Sequence, residues 1–483
     1  MSRVAAVDIG AGSGRVVIAD LVDGVPQLTE VARFANGPVL AAGRWVWDID
    51  ELRASTLAGL ALAAEQGAKS WGIDTWALDF GVLDEHGVLA GPIVAYRDGR
   101  HAGGVPIVRA VLPWERHYGI TGMQHMDFNT VYQLAAEQPS PIRAGSTFML
   151  VPDLISYWLT GVRACDVTNA STTAMVDVHT RQWSPEIISA LGLPPSAFLP
   201  PDEPGAIRGE SSDPRLRGMP LVGVATHDTA SAFVGTPLTD RQQALILSLG
   251  TWALIGCEVT GAVPTGAARD LNITHELGAE CTVRLLRNVS GMWLLDECRR
   301  AWALQDGQPT VLEDLLDAAE RALPFAAGFD VDDPGLAAPG QSEISISGRL
   351  IGRWDGSRGG VVRTLLESLV VKIARRAAEI EGLTGGHRPT LHVVGGGSRI
   401  RLLMQWLADA TGKVVIAGPV EATALGNAIV QWQAMGTVSS LAEARSMLGD
   451  MPEITRYEPR GSKRAWDDFA ERITAGKGST HGR

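Results

Sequence analysis

An apolar run at Val4 to Val7 breaks at Asp8-Ile9-Gly10-Ala11-Gly12-Ser13-Gly14-Arg15 and resumes at Val16 to Ala19. This pattern predicts a strand, a glycine turn and a second strand, hence a hairpin. A helical repeat follows at Asp48 to Gln66. Short apolar runs then predict strands at Ser70 to Asp74, at Phe80 to Leu83 and, past the Asp84-Glu85-His86-Gly87 turn, at Val88 to Tyr96. Leu221 to Ala225 reads as a short buried strand ending in Thr226-His227-Asp228-Thr229, with a helix beginning near Ala230.

The opening pattern then returns. Ala244 to Leu249, Gly250-Thr251-Trp252 and Ala253 to Ile255 form a second strand, glycine turn and strand. Behind it come an amphipathic helix at Gly360 to Glu381, a buried strand at Thr390 to Val394 and the turn Gly395-Gly396-Gly397. A helix at Arg401 to Thr411, a strand at Val414 to Ala417 and a helix at Glu421 to Met435 complete the pattern. One unit opening each half of the chain predicts two related α/β lobes. The first spans 1–236 and the second 237–458, and a polar tail, expected to fray, covers 459–483.

Composition narrows the function classes. The 483 residues suit two large lobes, and 45% apolar with 20% charged residues is ordinary for a folded globular chain. Lys and Arg number 42 against 54 Asp and Glu, a net charge of −12, and an acidic surface repels a nucleic-acid backbone. No apolar run reaches the about 18 residues a bilayer span requires. A cytoplasmic protein with no nucleic-acid or membrane partner is expected, with monomer and homodimer both left open. Cys165, Cys257, Cys281 and Cys298 show no metal or disulfide spacing and read as ordinary buried thiols.

Glycine turns after apolar strands let several backbone N–H groups converge on a phosphate. The spacing Gly10-x-Gly12-x-Gly14 is wrong for a dinucleotide fingerprint, and a β-prone stretch follows it instead of a helix. No G-x-x-x-x-G-K-[ST] exists, which excludes a P-loop. A hairpin phosphate loop remains, with Asp8 placed to hold a hydrated Mg²⁺ through water or merely to cap the turn.

In order along the chain stand Gly72-Ile73-Asp74-Thr75-Trp76, Ala95-Tyr96-Arg97-Asp98-Gly99-Arg100 and Phe128-Asn129-Thr130. Further on come Ala225-Thr226-His227-Asp228-Thr229-Ala230, Gly250-Thr251-Trp252, Asn272-Ile273-Thr274, Gly291-Met292-Trp293 and Val394-Gly395-Gly396-Gly397-Ser398. The longest motif runs from Ala417-Gly418-Pro419 to Gly426-Asn427. With Asp8 to Arg15, these motifs resemble the FGGY family of carbohydrate kinases along nearly the whole chain, and most of all its branch acting on L-rhamnulose.

The resemblance implies two duplicated actin-like (ribonuclease H-like) lobes with a cleft between them, and transfer of the ATP γ-phosphate to a ketose. It implies Asp228 as catalytic base, sugar contacts from Ala77, His227, Asp228, Thr229 and Asn288, and nucleotide contacts from Ala11, Gly12, Ser13, Gly14, Arg15, Thr251, Asp296 and Gly396. L-rhamnulose 1-phosphate is the implied product; L-fuculose or a xylulose-like ketose is the alternative acceptor, and an actin-like or chaperone-like ATPase the alternative class. The chain departs from the family pattern, which has Gly at Ala77, commonly Gln at Asp296, and commonly Asn at Ile400 and Met404.

Several residues keep two readings. His227 either contacts sugar or orients Asp228. Trp76, bracketed by Asp74 and Asp79, either packs against a sugar face or belongs to the core. The Arg97 to Arg100 loop either lines the site or forms surface ion pairs, and Trp293 reads as core.

Overall fold

The computed structural model describes residues 2–137, 139–216, 218–336 and 340–480. The chain divides into two compact units. Unit 1 comprises Met1–Thr239, Glu258–Leu286 and Glu421–Pro452, and unit 2 comprises Asp240–Cys257, Arg287–Val420 and Glu453–Arg483. The first departure from unit 1, after Thr239, falls close to the boundary expected at 236. Two later segments return to unit 1, and apolar periodicity within either segment carries no sign of which core it joins.

Unit 1 is built on strands β1 (Val4–Ile9), β2 (Ser13–Val22), β3 (Val25–Ala35), β4 (Trp71–Thr75), β5 (Ile207–Glu210) and β6 (Pro220–Val222). Their order across the sheet is β5-β6-β4-β1-β2-β3. β1 pairs antiparallel with β2 and parallel with β4, and β4 pairs parallel with β6. β1 and β4 are buried on both faces, which explains their continuous apolar runs. The helix Ile49–Glu65, started by the Asp48 side chain accepting from the Glu51 N–H, buries Leu52, Leu60, Ala63 and Ala64.

Unit 2 repeats the arrangement. Strands β7 (Ala244–Leu249), β8 (Trp252–Val259), β9 (Val283–Ser290), β10 (Thr390–Val394), β11 (Val414–Ala417) and β12 (Thr455–Tyr457) lie in the order β9-β8-β7-β10-β11-β12. An antiparallel hairpin is again followed by two parallel strands and an antiparallel edge. The duplication read from two glycine hairpins therefore extends to six corresponding strands in each sheet, and the second sheet carries a seventh, Thr274–Leu277, beside β9.

Two expectations are corrected. Val88 to Tyr96 is no strand and makes only isolated bridges, Leu83 with Leu89 and Val46 with Val94. Much of the tail expected to fray is a helix, Lys463–Thr480, which buries Trp466, Phe469 and Ile473, and Phe325 packs on the first two with ring centroids 4.8 and 5.1 Å away. Its polar composition hid an i, i+3, i+7 apolar stripe. His481, Gly482 and Arg483, the end of that tail, lie outside the described residues.

Within unit 1 the helices Asp228–Val234 and Ala422–Ala434 meet at glycines. A Cβ on Gly426 would stand 1.8 Å from the Ser231 carbonyl oxygen, and one on Gly235 would stand 2.0 Å from the Ala422 carbonyl oxygen. Gly426→Ala is accordingly expected to destabilise the protein by about 1–3 kcal/mol or more, read as a lowered urea midpoint. An unchanged midpoint would show that the two backbones have room to part.

Candidate active site

The C-terminal ends of β1, β4 and β6 bring three carboxylates together. Asp8 and Asp74 are direct partners in the parallel pairing of β1 with β4. Past β6, the Thr75 N–H donates to the Thr226 carbonyl at 2.9 Å and Thr75 bridges His227. Asp228 thus begins its helix beside the other two, the end of a parallel sheet where α/β folds place ligands.

Each carboxylate is held differently. Asp8 Oδ2 accepts from Arg15 Nε and Nη2 at 3.0 and 2.6 Å, while the same guanidinium pairs with Glu421. Asp74 is fully buried, accepts from Asn427 Nδ2 at 2.6 Å through Oδ2, and leaves Oδ1 without a hydrogen-bond partner among the described residues. Asp228 accepts through Oδ1 only, from the Thr229 N–H at 2.5 Å and Thr229 Oγ1 at 3.1 Å, with His227 Nε2 3.4 Å from that oxygen. Among the described residues Oδ2 takes no donor, and the side chain is 33% exposed.

Burial and then the Asp8 charge push the Asp74 carboxyl well above its ordinary range, against the Asn427 hydrogen bond. Desolvation also raises Asp228; the His227 ring opposes this and Asp8 adds to it. Such a shift moves a carboxylate toward the pH at which a general base works best. No three His, Cys, Asp or Glu among the described residues are spaced to hold a metal directly. Crowded carboxylates with an unpartnered buried oxygen nonetheless suit a cation bound through water.

The phosphate-type hairpin is tied down by Asn36, a residue the sequence reading missed. Its Nδ2 donates to the Gly10 carbonyl at 2.7 Å, and the Gly10 N–H donates to Ser13 at 2.9 Å. Ala11, Gly12 and Ser13 line the turn, and a Cβ on Gly14 would collide with the Phe34 ring at 2.2 Å. Missed as well were Glu276 and Arg284, which back His227. Asn427 stood in a quoted motif but carried no role.

Trp76 belongs to the core. It packs on Trp47 at 4.1 Å between centroids, and both indole N–H groups donate to Asp79 Oδ2, at 3.0 and 2.6 Å. Ala77 is half-buried and precedes Leu78, whose φ of 80° is uncommon for a branched residue; Thr130 Oγ1 donates to the Leu78 carbonyl at 2.6 Å. In the polar loop after Tyr96, Asp98 accepts from the Trp45 and Arg100 N–H groups, and Arg100 pairs with Glu137.

Four candidates belong to unit 2. Thr251 is exposed at the β7–β8 turn, whose carbonyls accept from the Gly291 and Met292 N–H groups. Asn288 lies on β9. Asp296, in the first turn of the helix Trp293–Asp306, stands 3.4 Å from Arg299. Gly396 follows Gly395, the residue of that turn with a left-handed φ of 87°. Ile400 and Met404 are buried packing residues. Trp293 is half-buried, with Arg300 over its ring, and not deep core. Cys281 is exposed, unlike the other three cysteines.

The family model described as "FGGY family of carbohydrate kinases, N-terminal domain" matches residues 4–235, and its C-terminal counterpart matches residues 245–435. This chain belongs to the FGGY family of carbohydrate kinases. Relatives of this FGGY kinase include a rhamnulokinase of Bacteroides thetaiotaomicron, 36% identical over 96% of each chain. One of Enterococcus faecalis is 38% identical over 92% of this chain and 91% of its own. Plasmodium falciparum glycerol kinase superposes with a TM-score of 0.82 at 16% identity, covering 99% of this chain and 98% of its own, and Lactobacillus acidophilus xylulose kinase with 0.80 at 14%, covering 100% and 99%. These structures establish the actin-like ATPase fold, and the family establishes an ATP-dependent carbohydrate kinase. No helix among the described residues is long and apolar enough to cross a membrane.

Burial raises Asp79 to about 6 despite its indole donors. The folded protein therefore holds a proton that the unfolded chain has released between pH about 4 and 6, and stability falls as pH rises through that window. Asp79→Asn removes this slope. Urea unfolding at several pH values should show the free-energy difference shifting in favour of the FGGY kinase variant as pH rises; a constant difference or the opposite shift would contradict the assignment.

Proposed function

We propose that this kinase phosphorylates L-rhamnulose at its 1-hydroxyl, with ATP as donor and Asp228 as general base. The observation carrying the base assignment is that every donor to Asp228 converges on Oδ1, while Oδ2, at a partly exposed helix start beside a phosphate-type hairpin, takes none among the described residues. The sugar hydroxyl gives its proton to Oδ2, its oxygen bonds to the γ-phosphorus, and the bond from phosphorus to the departing ADP oxygen breaks. Phosphoryl transfer asks the protein chiefly for positioning and charge neutralisation, so one such carboxylate suffices.

The choice of sugar rests on the name rhamnulokinase carried by relatives at 35–38% identity over nearly the full length. Ala77, Thr229 and Asn288 are assigned to the sugar, and His227, whose two ring nitrogens face Arg284 and Asp228, takes the second of its two readings and orients Asp228. Ala11 to Arg15 are assigned to phosphate, and Thr251, Asp296 and Gly396 to the rest of the nucleotide. Asp8 and Asp74 would hold Mg²⁺ through water, chiefly by the Asp8 oxygen that Arg15 leaves uncovered; bound there, the ion screens phosphate charge. Use of ATP and four cysteines that form no disulfide among the described residues suit the cytoplasm.

Two measurements test this reading. Asp228→Asn keeps the shape of the group and should lower kcat by roughly 10²- to 10⁴-fold with ATP affinity little changed; near-normal turnover would remove Asp228 from the role. In a coupled ADP assay on L-rhamnulose, L-fuculose and D-xylulose, kcat/KM should favour the first. One methyl at Ala77 is worth only about 1–3 kcal/mol of discrimination, so Ala77→Gly should shift the ratios modestly. A preference of roughly tenfold or more for either other sugar would overturn the substrate and leave the kinase.

A further inference from the structure

In unit 1, a strand at Thr274–Leu277 pairs antiparallel with the first half of β9, and the register sets Glu276 directly opposite Arg284. Directly opposed residues leave the same face of such a ribbon. The two side chains are 4% and 1% exposed, and Arg284 Nη1 stands 3.0 Å from Glu276 Oε2. Neither takes part in the chemistry above. A buried ion pair adds little stability over an apolar pair of similar volume, so packing alone does not explain it.

The pair faces His227. Arg284 Nη2 lies 3.3 Å from Nδ1, Glu276 Oε2 lies 3.4 Å from the same nitrogen, and Nε2 on the far side of the ring stands 3.4 Å from Asp228 Oδ1. Of the two, only Arg284 Nη2 is hydrogen-bonded to Nδ1, while Glu276 Oε2 makes no hydrogen bond among the described residues; a guanidinium can only donate, so Nδ1 carries a lone pair and the ring proton sits on Nε2. Arg284 is itself fixed. Its Nε and Nη2 donate to the Leu277 carbonyl at 3.3 and 3.2 Å, and its Cζ stands 5.9 Å from the Phe233 ring centroid. Glu276 meanwhile cancels the charge that Arg284 would otherwise impose on a ring only 8% exposed.

We propose that Glu276 and Arg284 are a positioning pair for the phosphoryl-transfer site, holding His227 in its Nε2–H form with the proton directed at Asp228 Oδ1. Oδ1 is thereby committed to donors from the protein, and Oδ2 is kept as the oxygen that takes the sugar proton. The pair touches neither sugar nor nucleotide. The inference rests on Asp228 being the base.

The test joins a spectrum to kinetics. In ¹⁵N-histidine-labelled protein, with the His227 signal identified by its loss in His227→Gln, the parent should show protonated Nε2 and unprotonated Nδ1. The double variant Glu276→Gln/Arg284→Met removes both charges at similar volume, which keeps folding apart from function. Its His227 should lose the single Nε2–H form, and kcat should fall about tenfold or more, short of the 10²- to 10⁴-fold expected for loss of the base, with KM for ATP unchanged. Arg284→Lys keeps the charge without the planar fork and should fall between the two. An Nδ1–H ring in the parent, or a double variant with kcat and the His227 spectrum unchanged, overturns the proposal. The parent spectrum decides even if the double variant fails to fold. Full turnover in Asp228→Asn would instead overturn the base assignment.

Discussion

Three carboxylates crowded at one end of a buried sheet set the terms for the rest of unit 1. Asp8 raises the free energy of ionising both Asp74 and Asp228, and Asp228 adds to that of Asp74, in a poorly solvated place. The fold offsets this with specific partners: the Arg15 guanidinium for Asp8, the Asn427 amide for Asp74, and the Thr229 N–H with the His227 ring for Asp228. The residue of negative charge is what a phosphate-bound cation would neutralise. The same crowding keeps the base close to its working protonation range.

The partner of Asp74 arrives from a remote part of the sequence, so helix packing fixes that part of the site. The helix Ala422–Ala434 sets Asn427 on Asp74 and, one turn on, Gln431 on Ser70 and the Ala5 carbonyl. It can do so because Gly426 and Gly235 let its backbone touch that of the helix carrying Asp228. Arg445 and Glu258, an ion pair within unit 1, tie the segments 258–286 and 421–452 together, and Arg445 also donates to the Phe233 carbonyl at the end of the Asp228 helix. Backbone contact and buried polar pairing therefore hold the carboxylates where diffuse apolar packing would leave them loose.

Much of this was legible in the sequence because it is local. Two glycine hairpins after apolar strands announced a duplicated α/β fold, and Asp8 and Asp228 could be placed at strand ends from apolar runs alone. What escaped depends on register and distance along the chain. Glu276 and Arg284 look like ordinary charged residues until an antiparallel hairpin sets them face to face behind His227. Asn36 caps a turn that lies 26 residues earlier. Val88 to Tyr96 had the composition of a strand but found no partner to form a ladder, and Trp466, Phe469 and Ile473 carried a helical stripe inside a polar segment. Trp76 divided evenly between sugar platform and core until Asp79 was seen to accept from both its indole and that of Trp47.

The central claim, that a raised carboxylate at the end of this sheet takes the proton from the sugar, is tested most directly by the pH dependence of kcat/KM for L-rhamnulose at saturating ATP. A base works only when ionised. The rate should therefore fall with unit slope as pH drops through a single group titrating above the ordinary carboxylate value of about 3.9, and the residual rate of a protein lacking the Asp228 carboxylate should not show that limb. A profile flat down to ordinary carboxylate pH, or a limb that persists without Asp228, would contradict the account.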